Sequence, residues 1–168
     1  MTQHPMETIR SNDPYTPAEI AVLVEKIGVK KAHLPFGPLM MLAVLAGVFI
    51  ALGAMFFTVA VTGAELGFGI NRVIGGVVFS TGLILVVVGG AELFTGNNLI
   101  VMAWAGRQVA TGQLLRNWSL VYIGNFAGAV AAALLVHHSG TLGLGDGAVL
   151  ATATRIAQTK VELPFIEA

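Results

Sequence analysis

The sequence predicts an all-α membrane protein with three transmembrane helices, the second of which is broken. Of the 168 residues, 55% are hydrophobic and only 11% are charged, far from the composition of a soluble domain. Long intervals without Asp, Glu, Lys or Arg are sufficient to cross a hydrocarbon core about 30 Å thick. The second of these intervals runs into a stretch rich in Gly and Asn, which favours unwound backbone.

Charge and composition exclude several classes of protein. Nine Lys+Arg balance nine Asp+Glu, so no net positive field exists to hold nucleic acid, and we expect no nucleic-acid partner. The chain has no cysteine, which excludes disulfides and thiolate metal sites. Paired catalytic carboxylates, metal-binding histidine spacings and a nucleophile elbow are also missing from the sequence. We therefore expect a protein that is not an enzyme and that uses no metal and no cofactor.

The N-terminal segment, 1–33, is polar and mixed in charge. Thr16 and Glu19 form the pattern of a capping box around a proline, and apolar residues then recur at helical spacing. The pattern predicts an amphipathic helix at 17–27, with Gly28 placed to end it. Such a helix could gate a pore or simply lie at the membrane interface, and the sequence leaves both open.

The predicted transmembrane half-domain is 34–138, and its first span is 36–62. Prolines stand at the start of that span, where a missing N–H costs little. A Gly-x-x-x-Gly pair in the last span allows close helix packing. The other predicted segments are, in order, a span at 72–90, a broken loop at 91–98, a short helix at 99–106 and a span at 116–137.

Orientation is predicted from the positive charges. Six Lys and Arg fall in the N-terminal segment, which includes Arg10, and in the loop after the second span, against three on the other side. The positive-inside rule then puts the N-terminus in the cytoplasm. The remaining segment, 139–168, is expected on the periplasmic side, with a short helix near 147–159.

The break at 91–98 carries the functional argument. Unpaired backbone groups in hydrocarbon cost several kcal/mol each, so unwound segments persist where protein or water satisfies them, often beside a permeation path. An ionisable Glu92 at the same place strengthens this interpretation. The alternative is that 92–98 is an ordinary cytoplasmic loop and that 99–105 lies on the membrane surface.

The ten residues Val87-Val88-Gly89-Gly90-Ala91-Glu92-Leu93-Phe94-Thr95-Gly96 closely resemble the signature of the formate/nitrite transporter family. The members of this family are formate, nitrite and hydrosulfide channels of microbial inner membranes. The resemblance extends along most of the chain. It includes Thr16–Ile20 with Gly28, Lys30–Ala32, Gly47–Ala54, Arg116–Trp118, Gly124–Gly128, and Lys160 with Phe165–Ala168.

The resemblance implies an aquaporin-like fold of six helices in two inverted halves, assembled as a homopentamer with one pore per protomer. On this basis the chain is one truncated half, without the fourth helix and the central pore histidine. The implied function is passive or proton-coupled passage of a small monovalent anion through a bacterial inner membrane, with the lipid bilayer and small anions as partners. A non-transporting membrane scaffold or subunit is the rival hypothesis.

The resemblance also assigns residues to the pore. Thr95 would face the central histidine and hydrogen-bond the substrate, although a Thr there could instead bond locally to stabilise the turn. Leu83 and Phe79 match apolar constriction positions, together with Leu93 and Phe94 in the loop. Outside the family context, each of these would more often be ordinary helix packing.

The remaining assignments concern charge and loop structure. Lys160 matches a lysine of the outer vestibule, whereas in isolation it would be a solvated surface charge. Glu92, Gly96 and Asn97 are expected to structure the loop, with Glu92 accepting backbone N–H bonds. His137 and His138 match no pore position and are expected at the interface.

Overall fold

The structure, a computed structural model, describes residues 15–164, which are almost entirely helical and contain no strand. Three of the helices are long and apolar enough to span a membrane, with mean hydropathies of 2.5, 1.9 and 1.9. The expectation of an all-α membrane protein with three spans is confirmed. The elements are α1 (Pro17–Ala32), α2 (Phe36–Val61), α3 (Phe68–Val88), α4 (Phe94–Asn97), α5 (Ile100–Ala105), α6 (Thr111–His138), a 3₁₀ turn (Thr141–Gly143) and α7 (Ala148–Val161).

Helix α1 begins as the sequence predicts but is longer. Thr16 and Glu19 form a complete capping box, and Pro17 is the first helical residue. The helix continues past the predicted end at 27, because Gly28 is a packing residue here and not a terminator. A Cβ at Gly28 would lie 3.2 Å from the Ala103 Cβ, so glycine allows α1 to approach α5.

Helices α2 and α6 cross at very short range. A Cβ at Gly47 would overlap the carbonyl of Asn125, and one at Gly128 would overlap the carbonyl of Val44. Gly124 is likewise buried, against Ala43. The Gly-x-x-x-Gly pair of α6 therefore allows the backbones of α2 and α6 to come into contact, as its spacing predicts.

Helix α2 lies between α6 and α3. On its α3 side, a Cβ at Gly53 would lie 2.8 Å from the Phe79 carbonyl oxygen, and a Cβ at Gly82 would lie 2.7 Å from that of Phe49. Glycines on both faces of α2 thus fix the three spans as one closely packed layer. This layer holds the broken segment in place.

Two of the spans begin earlier than expected. Helix α3 starts at Phe68 rather than 72. Helix α6 starts at Thr111 rather than 116, because the Gln113 side chain caps it by accepting from Ala110 N at 2.9 Å. The C-terminal helix runs over Ala148–Val161. Two parts of the predictions lie outside the described residues. They are Arg10, which contributes to the predicted orientation, and Phe165–Ala168, which contribute to the family resemblance.

Candidate functional site at the helix break

Helix α3 stops at a Schellman motif, in which glycine takes a left-handed conformation. Gly90 has φ +61°, which favours glycine because it has no Cβ. Gly90 N donates to Val87 O at 3.2 Å, and Ala91 N donates to Val86 O at 3.0 Å. The chain is then extended through Leu93 before α4 begins. The second span is therefore broken where the sequence predicts.

The unwound backbone is hydrogen-bonded by neighbouring helices. Glu92 N donates to Leu42 O of α2 at 3.2 Å. From α6, Asn125 Oδ1 accepts from Phe94 N at 2.9 Å, while its Nδ2 donates to Glu92 O at 2.9 Å and to Ala43 O at 2.8 Å. One amide side chain thus takes the place of the missing helical partners, as irregular backbone at membrane depth requires.

A buried charged network fills the space behind the break. The Lys31 Nζ lies 2.8 Å from Glu92 Oε1 and donates to Asn97 Oδ1 at 3.0 Å. Asn97 is fully buried, and its Nδ2 donates to Glu92 Oε2 at 2.7 Å and to Asn117 Oδ1 at 2.9 Å. Glu92 is only 4% exposed, and the cost of burying its carboxyl group is offset because the group is paired with Lys31 and both of its oxygens accept hydrogen bonds.

Helix α6 supplies two more bonds to this network. Asn117 Nδ2 donates to the backbone oxygen of Lys31 at 3.0 Å, and Trp118 Nε1 donates to the backbone oxygen of Asn97 at 3.0 Å. The network therefore joins α1, the break and α6. The shape of the break is determined by three segments that are far apart in sequence.

These contacts correct one expectation about Glu92. Its carboxylate accepts from the side chains of Lys31 and Asn97, not from backbone N–H groups. Those backbone groups already have carbonyl and amide partners, so the carboxylate is left to balance a charge. Asn97 forms several hydrogen bonds within the loop and to α6, whereas Gly96 is exposed and a Cβ there would meet nothing within 4 Å.

The sequence does not predict Lys31, Asn117 or Asn125 as residues of the site. A signal for two of them is present in the sequence. Asn117 and Asn125 are eight residues apart, on the same side of a predicted transmembrane helix. A polar amide in a span is expensive unless it has a partner, so this pair indicates a polar neighbour within the bilayer.

In front of the break lies a cavity of about 940 Å³. Thr95, Leu93 and Leu83 line it, together with Lys31 and Glu92. Thr95 is exposed, and its hydroxyl takes no hydrogen-bond partner from the described part of the chain, so a local bond that stabilises the turn is not present. The structure therefore brings three of the predicted pore residues together on one wall.

Phe79 and Phe94 lie elsewhere. Phe79 is on the same face of α3 as Leu83, four residues away and 38% exposed, but outside the lining of this cavity. Phe94 packs edge-on against Tyr122 and Trp118, with ring centroids 5.5 and 6.4 Å apart. The backbone N–H of Phe94 donates to Asn125 of α6, and this bond holds the residue against α6. The ring therefore packs between the break and α6.

Lys160 belongs to α7 and lies near the N-terminal end of α3, far from the break. It lines a second cavity, of about 530 Å³, together with Arg72 and Arg155. His137 and His138 are exposed at the end of α6, with their rings in edge-on contact and centroids 5.1 Å apart.

The sequence of this chain matches the family model of the formate/nitrite transporter over residues 18–168. The chain belongs to the formate/nitrite transporter family. It is 40% identical to the formate channel FocA of Escherichia coli (strain K12) over 164 residues, which cover 95% of this chain and 58% of that protein. It is 37% identical to the formate channel FocA of Haemophilus influenzae over 155 residues, covering 91% and 54% respectively.

The fold is also similar to that of a solved member of the family. A pentameric formate channel with formate bound superposes with a TM-score of 0.68 at 32% identity, over 85% of this chain and 53% of that one. The chain thus spans a little over half the length of the relatives it matches. These relatives are named as formate channels.

Proposed function

We propose that this chain forms half of a membrane channel for small monovalent anions of the formate, nitrite or hydrosulfide class. The observation that carries the proposal is the position of Thr95, which lines a cavity at the break and whose hydroxyl has no hydrogen-bond partner within residues 15–164. Similarity to named formate channels supports the substrate class.

The cavity wall suits a substrate that loses its water. Leu83 and Leu93 are apolar, so a hydrated ion would have to be dehydrated there. Moving a bare charge past them costs at least several kcal/mol, whereas a neutral protonated acid avoids most of that cost. Thr95 can donate to an anionic oxygen or accept from an acid hydroxyl, so it serves either form.

The buried ion pair makes this wall compatible with an anion. An unpaired Glu92 carboxylate would repel a negative substrate, but Lys31 neutralises it at 2.8 Å. The cavity therefore has a carboxylate that structures the loop without a net negative field. Passive passage and proton-coupled passage are both consistent with this arrangement.

The rest of the proposal follows the family. The second half of each pore would come from an inverted counterpart of these helices, in a homopentamer. The protein would lie in a bacterial inner membrane with its N-terminus in the cytoplasm, in agreement with the excess of positive charge at the α1 end. Leu83, Phe79, Leu93 and Phe94 would then contribute to or support the constrictions, and Lys160 would lie in the outer vestibule.

Flux through proteoliposomes tests the proposal. The full-length protein that carries this chain should pass formate, nitrite or hydrosulfide down a concentration gradient, as reported by a pH-sensitive dye or a sulfide probe inside the vesicles. Protein-free vesicles give the background. Failure to pass any of the three anions by a correctly assembled oligomer would favour the scaffold.

A further inference from the structure

Three positive side chains line the cavity at the far end of α3 from the break. Arg72 belongs to the first turns of α3, while Arg155 and Lys160 belong to α7. Within residues 15–164 the pairing of Lys31 with Glu92 is the only ion pair, so none of these three cations has a carboxylate within 4.0 Å there. Like charges around one cavity repel each other, and an anion between them relieves that repulsion.

The local structure holds these groups at the cavity. The Arg72 guanidinium lies over the Phe68 ring, 5.1 Å from its centroid, a contact that limits its freedom. On α7, Arg155 is three residues after the buried Thr152 and four before Thr159, and all three line the cavity. Residues at this spacing share one face of a helix.

The same wall contains an unsatisfied acceptor. Asn71 Nδ2 donates to Ala64 O at 2.7 Å, which fixes the orientation of the amide. Its Oδ1 is buried and has no partner within the described residues. An unpaired buried acceptor is costly, and a ligand that brings a donor, as hydration water or as an acid hydroxyl, would satisfy it. The cavity thus offers positive charge and an acceptor together, and a hydrated or protonated oxyanion fits both.

The helical register links this cavity to the proposed pore. Arg72 precedes Phe79 by seven residues and Leu83 by eleven, so all three lie on one face of α3. An anion held at Arg72 would be two turns from the first apolar pore position. The family resemblance extends to Lys160, whereas the two arginines come from the structure alone.

We propose that Arg72 and Arg155 form a binding site for a small, still hydrated oxyanion of carboxylate or nitrite size. Guanidinium groups bind such oxygens by paired, charge-assisted hydrogen bonds. The site concentrates the anion beside the apolar positions where dehydration follows. Its place in transport rests on the proposed function, but its existence can be tested by binding alone.

Line broadening of ¹³C-formate measures that binding. The purified full-length protein in phosphatidylcholine nanodiscs should broaden the formate signal. The double variant Arg72→Gln, Arg155→Gln should bind about fivefold more weakly, because two charged contacts are lost while polar, uncharged side chains remain at both positions. The single variants Arg72→Gln and Arg155→Gln should each weaken binding in part. Lys26→Gln is their matched control, because it likewise removes one exposed positive charge but lies on α1, outside the lining of this cavity, and it should leave the broadening unchanged.

Each other outcome decides the matter. Equal broadening by the parent and the double variant, or none by the parent, overturns the site. If the formate broadening disappears when phosphatidylglycerol replaces half of the lipid, the arginines hold a lipid phosphate instead. This result also overturns the proposed formate site. Broadening that depends on the arginines, in a protein that passes none of formate, nitrite and hydrosulfide, upholds the site and rejects the proposed function.

Discussion

The ammonium of Lys31 lies 2.8 Å from the carboxylate of Glu92, and this contact joins the last turn of α1 to the break in the second span. The two residues are 61 positions apart. Glu92 is almost completely buried, whereas the Lys31 side chain is 27% exposed, so the carboxylate depends on the lysine for its charge balance. The N-terminal helix is therefore part of the site.

Loss of either partner should destabilise the protein. We expect Lys31→Met and Glu92→Gln each to cost about 2–4 kcal/mol, since each leaves a buried polar group without its counter-charge. The double variant should be less damaging than the sum of the two, because neither charge is then left alone. Unfolding of the detergent-solubilised oligomer in a denaturant series measures all three.

Strict additivity would contradict a direct interaction between these two groups. Lys30→Met, which changes the adjacent lysine of the same helix turn, should cost less than about 0.5 kcal/mol and is the control.

The central amide of the network should not tolerate a negative charge. Asn97→Asp keeps the shape but replaces the donor to Glu92 and Asn117 by a carboxylate oxygen. Repulsion of the neighbouring carboxylate should then destabilise the fold by about 2–4 kcal/mol. Asn98→Asp, at the exposed next position, should be nearly neutral. Thermal unfolding followed by circular dichroism compares them, and equal effects would mean that the network contributes little.

Removal of the pore hydroxyl should affect flux without affecting assembly. Thr95→Val keeps the side-chain shape and should reduce formate flux about fivefold, the equivalent of one lost hydrogen bond. Thr58→Val is the control, because the Thr58 hydroxyl bonds within α2, to Ala54 O at 2.8 Å. Proteoliposome flux and size-exclusion chromatography give the two measurements. Unchanged flux in Thr95→Val would leave Thr95 with a structural role only.

The glycines between α2 and α6 should be irreplaceable. Gly47→Ala places a methyl group against the carbonyl of Asn125, and the helices must separate to admit it, at a cost of about 1–3 kcal/mol. Gly37→Ala, in the first turn of the same helix, meets nothing within 4 Å and should stabilise by up to about 1 kcal/mol. Thermal stability of the two variants should therefore change in opposite directions.

Acid should loosen the start of α1. Hydrogen bonds from the Thr16 backbone and then from its hydroxyl lower the pKa of Glu19 below the ordinary 4.5. Because this pKa is depressed in the folded state, the stabilisation is present above about pH 4.5 and is lost as the pH falls through the folded value. Amide exchange of residues 19–22, corrected for intrinsic rates, should accelerate below pH 4.5. Glu19→Gln should remove this pH dependence, whereas Glu65→Gln should preserve it.

The elements that follow from local rules were predictable from the sequence. Thr16 and Glu19 mark the start of α1, the charge-free intervals mark the spans, and the glycines at 89 and 90 mark the end of α3. The position of the break at 91–98 follows from its own Gly- and Asn-rich residues, although its shape depends on α1 and α6. These features are encoded within a few residues of where they appear.

Contacts between distant segments could not be predicted in this way. Gly28 has the signature of a helix end, but tertiary packing against Ala103 carries α1 onward to Ala32. The partners of Glu92 come from α1 and from its own loop, and no spacing rule indicates a lysine 61 residues earlier. Arg72 of α3 and Arg155 of α7 are far apart in sequence, and they line one cavity because the chain places α7 beside the ends of α2 and α3.

The order in which the ribosome delivers these segments has a consequence for biogenesis. Lys31 leaves the translocon before Glu92, whereas Asn117 and Asn125 leave after Glu92. The broken second span therefore enters the lipid before all of its polar groups have hydrogen-bond partners. The break can become a stable structure only when α6 has been completed.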